Sequence, residues 1–123
     1  MKITIAAVIA AAAGLLVISS PAAAHHGTSG YDNSKMTIVK ATITGFVWAN
    51  PHCRVRFDTT DDTGTVTHWN IEAANIVALT ERGWNRKSLT PGDVVTLHFN
   101  AAINGSTSGI LRKVVLPDGQ EIN

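Results

Sequence analysis

Residues 52–59 read His-Cys-Arg-Val-Arg-Phe-Asp-Thr, and polar and apolar side chains alternate there without a break. A period of two is the mark of a strand with one buried face, and it excludes a helix. Cys53, Val55 and Phe57 point to the core, while His52, Arg54, Arg56 and Asp58 point away. Turn residues follow in Thr60-Asp61-Asp62-Thr63-Gly64. Residues 65–72 then repeat the pattern, with Thr67, Trp69 and Ile71 inward and Val66, His68 and Asn70 outward. These two segments form a hairpin.

The strand signal extends to both sides. Residues 36–48 are rich in β-branched side chains. Read with a constant period, Val39, Ala41, Ile43, Gly45 and Val47 share one face, and Lys40, Thr42 and Thr44 the other. Gly45 predicts a bulge or sharp bend. Ala49-Asn50-Pro51 interrupts the chain, because Pro51 has no amide hydrogen for a ladder. After the hairpin the period changes. Ile76, Val77, Leu79 and Trp84 recur at helical spacings, and Gly83 follows Arg82 as a C-terminal cap would. One short helix is expected over 74–82. Pro91-Gly92-Asp93 is a tight turn before a strand at 94–101, in which Val95, Leu97 and Phe99 share a face. A Gly/Ser loop at 104–109 leads to a last strand at 110–116, closed by the turn Pro117-Asp118-Gly119.

Three strands, a helix and two strands, with a long kinked first strand, predict a mainly β fold. The specific expectation is a small OB-like barrel of five to six strands with one short helix between strands three and four. A small open sheet or sandwich with one covering helix is the alternative.

The N-terminus reads as an address. Lys2 is followed by an apolar run over 3–17, a break at Pro21, and small residues Ala22-Ala23-Ala24. This is the layout of a cleavable secretory signal peptide over 1–24, and the run is short for a membrane span of about 20 residues. No membrane span is expected after cleavage, and the location is periplasmic or secreted. Residues 25–35 form a polar, His-containing leader that is flexible unless docked, and 36–123 form a single β-barrel domain. Of the ten Lys and Arg residues only Lys2 lies in the signal, so nine remain against nine Asp and Glu. A chain of zero formal charge offers no electrostatic reason to expect nucleic acid. Cys53 is the only cysteine, so no internal disulfide exists and the thiol reads as a small buried hydrophobe.

Histidine is the informative residue type. His25 and His26 stand together at the expected mature terminus. Cleavage after Ala24 leaves His25 a free α-amine, so amine and imidazole chelate together and a further histidine completes a copper site. Cleavage after Ala23 puts His26 third, in the amino-terminal copper- and nickel-binding arrangement. Nitrogen ligands favour Cu(II) in the divalent series. His52, at the polar start of a strand, is the third candidate ligand. The competing reading makes His-His the polar start of a leader. His68 reads as a surface residue and His98 as part of the barrel wall. Trp48, Asn50, Arg54, Arg56 and His68 form a candidate surface for a ligand or protein partner, with Trp48 exposed. Trp69 and Trp84 read as core, and Arg54 and Arg56 are equally compatible with a solvated strand face. No nucleophile elbow, H-E-x-x-H or Walker loop is present, and catalysis is not indicated.

Ala24-His25-His26, Trp48-Ala49-Asn50-Pro51-His52, Gly83-Trp84 and Pro91-Gly92-Asp93 together resemble an uncharacterised family of small exported bacterial proteins, the domain of unknown function 6152. The resemblance spans essentially the whole mature chain, and Trp-x-Asn-Pro-His is its most specific segment. Cys53 departs from the residue expected at that position. The resemblance implies an exported location and one small domain, and no activity. The functional expectation is therefore an exported binding module that takes copper or another transition metal through His25, His26 and His52. The alternatives are a metal-free barrel that binds a protein partner or small ligand, and an accessory domain of an exported enzyme system.

Overall fold

The computed structural model describes residues 27–123. Six strands follow a 3-10 turn at Thr28–Gly30: β1 (Thr37–Val47), β2 (Arg54–Thr60), β3 (Val66–Glu72), β4 (Val94–Ala101), β5 (Gly109–Val115) and β6 (Glu121–Ile122). One helix, α1 (Ile76–Glu81), lies between β3 and β4. Spatial order is β3-β2-β1-β4-β5-β6. Glu72 of β3 also pairs in parallel with Ile110 of β5, which closes five strands into a barrel. The far edge of β5 is thus shared: β3 takes its start, and β6 takes Val114 and Val115 at its end. This is the expected OB-like barrel, with β6 as an added strand. The open sheet and the sandwich are excluded by the closure.

β1 serves two neighbours because it bends. Its first half pairs with β4, from Thr37 opposite Phe99 to Thr42 opposite Val94. Its second half pairs with β2, and the register slips between Ile43 and Gly45. At that point Ile43 exchanges backbone hydrogen bonds with Asp93 (2.9 Å) and Gly92 (2.8 Å) in the turn before β4. Gly45 does mark a bulge, as its lack of a side chain suggested. The bulge corrects the face assignment made with a constant period. Beyond it, Gly45 stands opposite Arg56 and Val47 opposite Arg54 on the outer side, and Phe46 packs against the core. An extra residue shifts every later side chain to the other face.

The β2–β3 hairpin follows its alternation closely. Cys53, Val55, Phe57 and Ile71 are fully buried, and His68 and Asn70 are exposed. Phe57 stacks on Trp69 at 5.9 Å, and Phe99 meets both rings edge-on. The helix is shorter than the periodicity suggested. Asn75 caps it by accepting from the Ala78 amide at 2.9 Å, and Asn50 accepts from the Ile76 amide at 3.1 Å. At its other end Gly83 takes φ 88°, and the Trp84 amide reaches back to the Leu79 carbonyl at 2.9 Å. This Schellman closure brings buried Trp84 onto buried Leu79. Phe46 lies against Trp84 at 5.9 Å, so α1 plugs the barrel where β1 bends.

The second half of the leader is docked. Tyr31 bridges to Ala102, and the Asp32 amide donates to the Ala101 carbonyl at 2.9 Å. The side chain of Asn100 donates to the carbonyls of Asp32 and Lys35, both at 3.0 Å. Asn100 is the one buried polar side chain among the described residues. Order therefore begins before Met36. No helix among the described residues is long and apolar enough to cross a membrane.

Candidate functional site

Closure of the barrel brings the start of β2, the end of β3 and the start of β5 to one mouth. Glu72, last in β3, accepts from Arg54 at 3.2 Å. His52 Nδ1 lies 3.6 Å from the other Glu72 carboxylate oxygen, with the imidazole half exposed. The Arg54 Nε also donates to Asn70 at 3.1 Å. Outward from this group opens a cleft of about 260 Å³, lined by His52, Glu72, Arg82, Ile110, Leu111 and Arg112. Ala73 and Ala74 complete its wall. Four apolar side chains and four polar or charged ones share its lining, a more polar make-up than most ligand sites have.

The leader reaches the rim of the same cleft. Arg112 occupies a second bulge, because His98 faces Lys113 while Phe99 faces Leu111. From there its Nε donates to the Asn100 side-chain oxygen, and its Nη2 donates to the Asn33 side-chain oxygen at 3.1 Å. Asn33 in turn donates to the Thr28 carbonyl at 3.0 Å. A cleft residue, a buried amide and the leader thus form one connected network.

The residues singled out by sequence fall into different places. His52 lines the cleft, and Arg54 is tied to Glu72 beside it. Asn50 is engaged at the start of α1. Trp48 was expected to be exposed; it is half-buried, edge-on to Phe46 at 5.8 Å, because the bulge turns Phe46 inward beneath it. His68 hydrogen-bonds Asp58 across the hairpin at 2.6 Å. Arg56 lies over Gly45, where a Cβ would stand 3.3 Å from its Nε. Cys53 is fully buried, on the opposite face of the strand from His52. His25 and His26 lie outside the described residues. Among the described residues, no three His, Cys, Asp or Glu side chains are gathered as metal ligands.

Sequence reasoning did not single out Glu72, Arg82, Asn100 or Arg112 for this site. Phe99 faces the core and Asn100 is covered by the leader, so these consecutive residues are both buried for a reason no local pattern reveals. The pairing of Arg112 with Asn33 spans 79 positions and leaves no local trace.

Two carboxylates outside the cleft are shifted. Asp61 is held below the ordinary aspartate range, first by the Thr63 hydroxyl and then by the Thr65 amide. Asp32 is lowered in the same way, first by the hydroxyl and then by the amide of Ser34. Both make the tight local turns that such residues favour.

Comparison with known proteins adds the following. A family model described as a family of unknown function, DUF6152, matches residues 11–112. No curated protein matches the chain. Among solved structures, a mitochondrial single-stranded DNA-binding protein from S. cerevisiae is similar, with a TM-score of 0.52 and 14% identity. The alignment covers 68% of this chain and 93% of that one. That likeness concerns the barrel fold alone.

Proposed function

Because the chain belongs to DUF6152, a family of unknown function, we propose its role from its geometry: an exported barrel that binds a small ligand in the cleft at its mouth. One observation carries this. Barrel closure gathers His52, Glu72, Arg82 and Arg112, from four separate parts of the chain, around a single cleft of about 260 Å³ with an apolar wall. The other residues read as a partner surface are mostly engaged in the fold: Asn50 on α1, His68 on Asp58 and Trp48 on Phe46. The test is amide NMR of the purified protein against a panel of small polar molecules. Shifts should cluster at Glu72, Arg82 and residues 110–112. Shifts confined to the β2–β3 outer face would overturn the reading.

A second reading is supported by the docked leader. In it, Cu(II) is held by His25 and His26 with His52 as third ligand. Thr28 is hydrogen-bonded to Asn33, which is hydrogen-bonded to Arg112 at the rim of the His52 cleft. His26 lies two positions before Thr28 and an extended residue spans about 3.5 Å, so the reading requires the chain ahead of Thr28 to fold back towards His52. This reading requires signal cleavage to leave His25 with a free amine, which intact mass measures directly. Cu(II) titration with electron paramagnetic resonance then tests the ligands. Nitrogen hyperfine coupling that is lost in both His25→Ala and His52→Ala supports the set. Binding no tighter than that of a short free peptide refutes it.

A further inference from the structure

The charges around the cleft specify the class of its ligand. Arg112 is oriented by Asn100 and Asn33. Both acceptors are neutral amides. They fix the direction of the guanidinium without cancelling its charge, and a guanidinium has five donors of which these bonds engage two. Arg82 follows the last residue of α1, and no side chain among the described residues accepts from it or pairs with it. Glu72 is the single carboxylate on the lining, and Arg54 is already bonded to it at 3.2 Å. Two guanidinium groups are thus left without an acid partner among the described residues, above a wall of Ile110, Leu111, Ala73 and Ala74. A guanidinium is weakly hydrated and forked, so it takes a carboxylate through two parallel hydrogen bonds.

We infer that the cleft binds a small organic anion, with its carboxylate at Arg82 and Arg112 and a short apolar body against Ile110 and Leu111. This rests on the cleft being the ligand site and goes further by naming the ligand's charge and shape. A volume of about 260 Å³ lies just below the usual range for drug-sized ligands, so the anion is compact. The cluster also disfavours a bare cation beside Arg82.

The experiment compares hexanoate with its neutral analogue hexanamide, by NMR titration of the purified protein and of Arg82→Gln. Arg82 is exposed, and the turn after α1 is closed by backbone bonds from Gly83 and Trp84, so the variant keeps the fold. Hexanoate should bind about tenfold or more tightly than hexanamide, as expected for a charge-assisted pair. Arg82→Gln should remove most of that preference, and added salt should weaken hexanoate alone. Equal binding of acid and amide, or no effect of Arg82→Gln, overturns the anion assignment and leaves the cleft standing as a ligand site. Inorganic phosphate that binds where hexanoate does not overturns the apolar body. Shifts from none of the three at the cleft overturn both the inference and the reading it rests on.

Discussion

Arg112 donates from its Nε to the side-chain oxygen of Asn100, a residue only 3% exposed and sixty-odd positions away from the leader it holds. All the polar atoms of the Asn100 amide are thereby used: its nitrogen serves the carbonyls of Asp32 and Lys35, and its oxygen serves Arg112. A buried amide so placed does no harm to the core, because burial is costly only for a group left without partners. It joins the leader, β4 and the mouth of the barrel into one unit.

Asn100→Ala should therefore cost about 2 kcal/mol, because it removes three hydrogen bonds, two to the Asp32 and Lys35 carbonyls and one from the Arg112 guanidinium. Urea denaturation measures the loss. Hydrogen exchange locates it: the Asp32 amide, bonded to Ala101 at 2.9 Å, should exchange much faster while the β2–β3 ladder stays protected. Unchanged exchange at Asp32 would show that the amide does not hold the leader.

Gly109 lies where β5 begins, and its smallness is a packing requirement. A Cβ built there would be 2.8 Å from the Asn100 carbonyl oxygen and 2.8 Å from the Phe99 ring. Backbone and a core aromatic cannot both yield, so Gly109→Ala should destabilise by about 2 kcal/mol, as overpacking does. The same substitution at Gly30, where a Cβ meets nothing within 4 Å, should be near neutral in the same denaturation assay.

Gly83 is required for its backbone. Its φ of 88° lies in the left-handed region that side chains disfavour, and space around it is open. Gly83→Ala should cost about 1 kcal/mol from conformation alone. Thermal unfolding should show that loss while Trp84 fluorescence in the folded state is unchanged, since no contact is removed.

Acid should loosen the β2–β3 turn. Asp61 accepts from the Thr63 amide (2.9 Å), the Thr63 hydroxyl (2.6 Å) and the Thr65 amide (2.9 Å). These bonds favour the carboxylate, so its folded value lies below the unfolded one. The stabilising contribution is then complete above the ordinary aspartate range and is lost as pH falls through the depressed folded value. Amide shifts of Thr63 and Thr65 should follow one titration centred below the ordinary range, and Asp61→Ala should abolish it.

Cys53 should be inert in the folded protein. It is fully buried, and its backbone bonds to Ala73 and Ala74. A thiol reagent should modify it only at the rate of unfolding, accelerated by urea in step with loss of structure. Fast labelling in the absence of denaturant would contradict the burial.

Sequence by itself determined the kind of fold. The alternation in β2 and β3, the change of period at α1, and the glycines at positions 45 and 83 specify strands, one helix and a bend, because each depends on neighbours within a few residues. What only the tertiary structure decided comes from contacts between distant segments. The slip at Gly45 carried Phe46 inward and Val47 outward, since a bulge is defined against the partner strand. The second slip freed Arg112 to meet Asn100 and Asn33. The parallel pairing of Glu72 with Ile110 then brought His52 and Arg112 to one cleft. The histidine was legible as a polar residue at a strand mouth. The guanidinium groups around it were not, because register and closure decide which strand ends become neighbours.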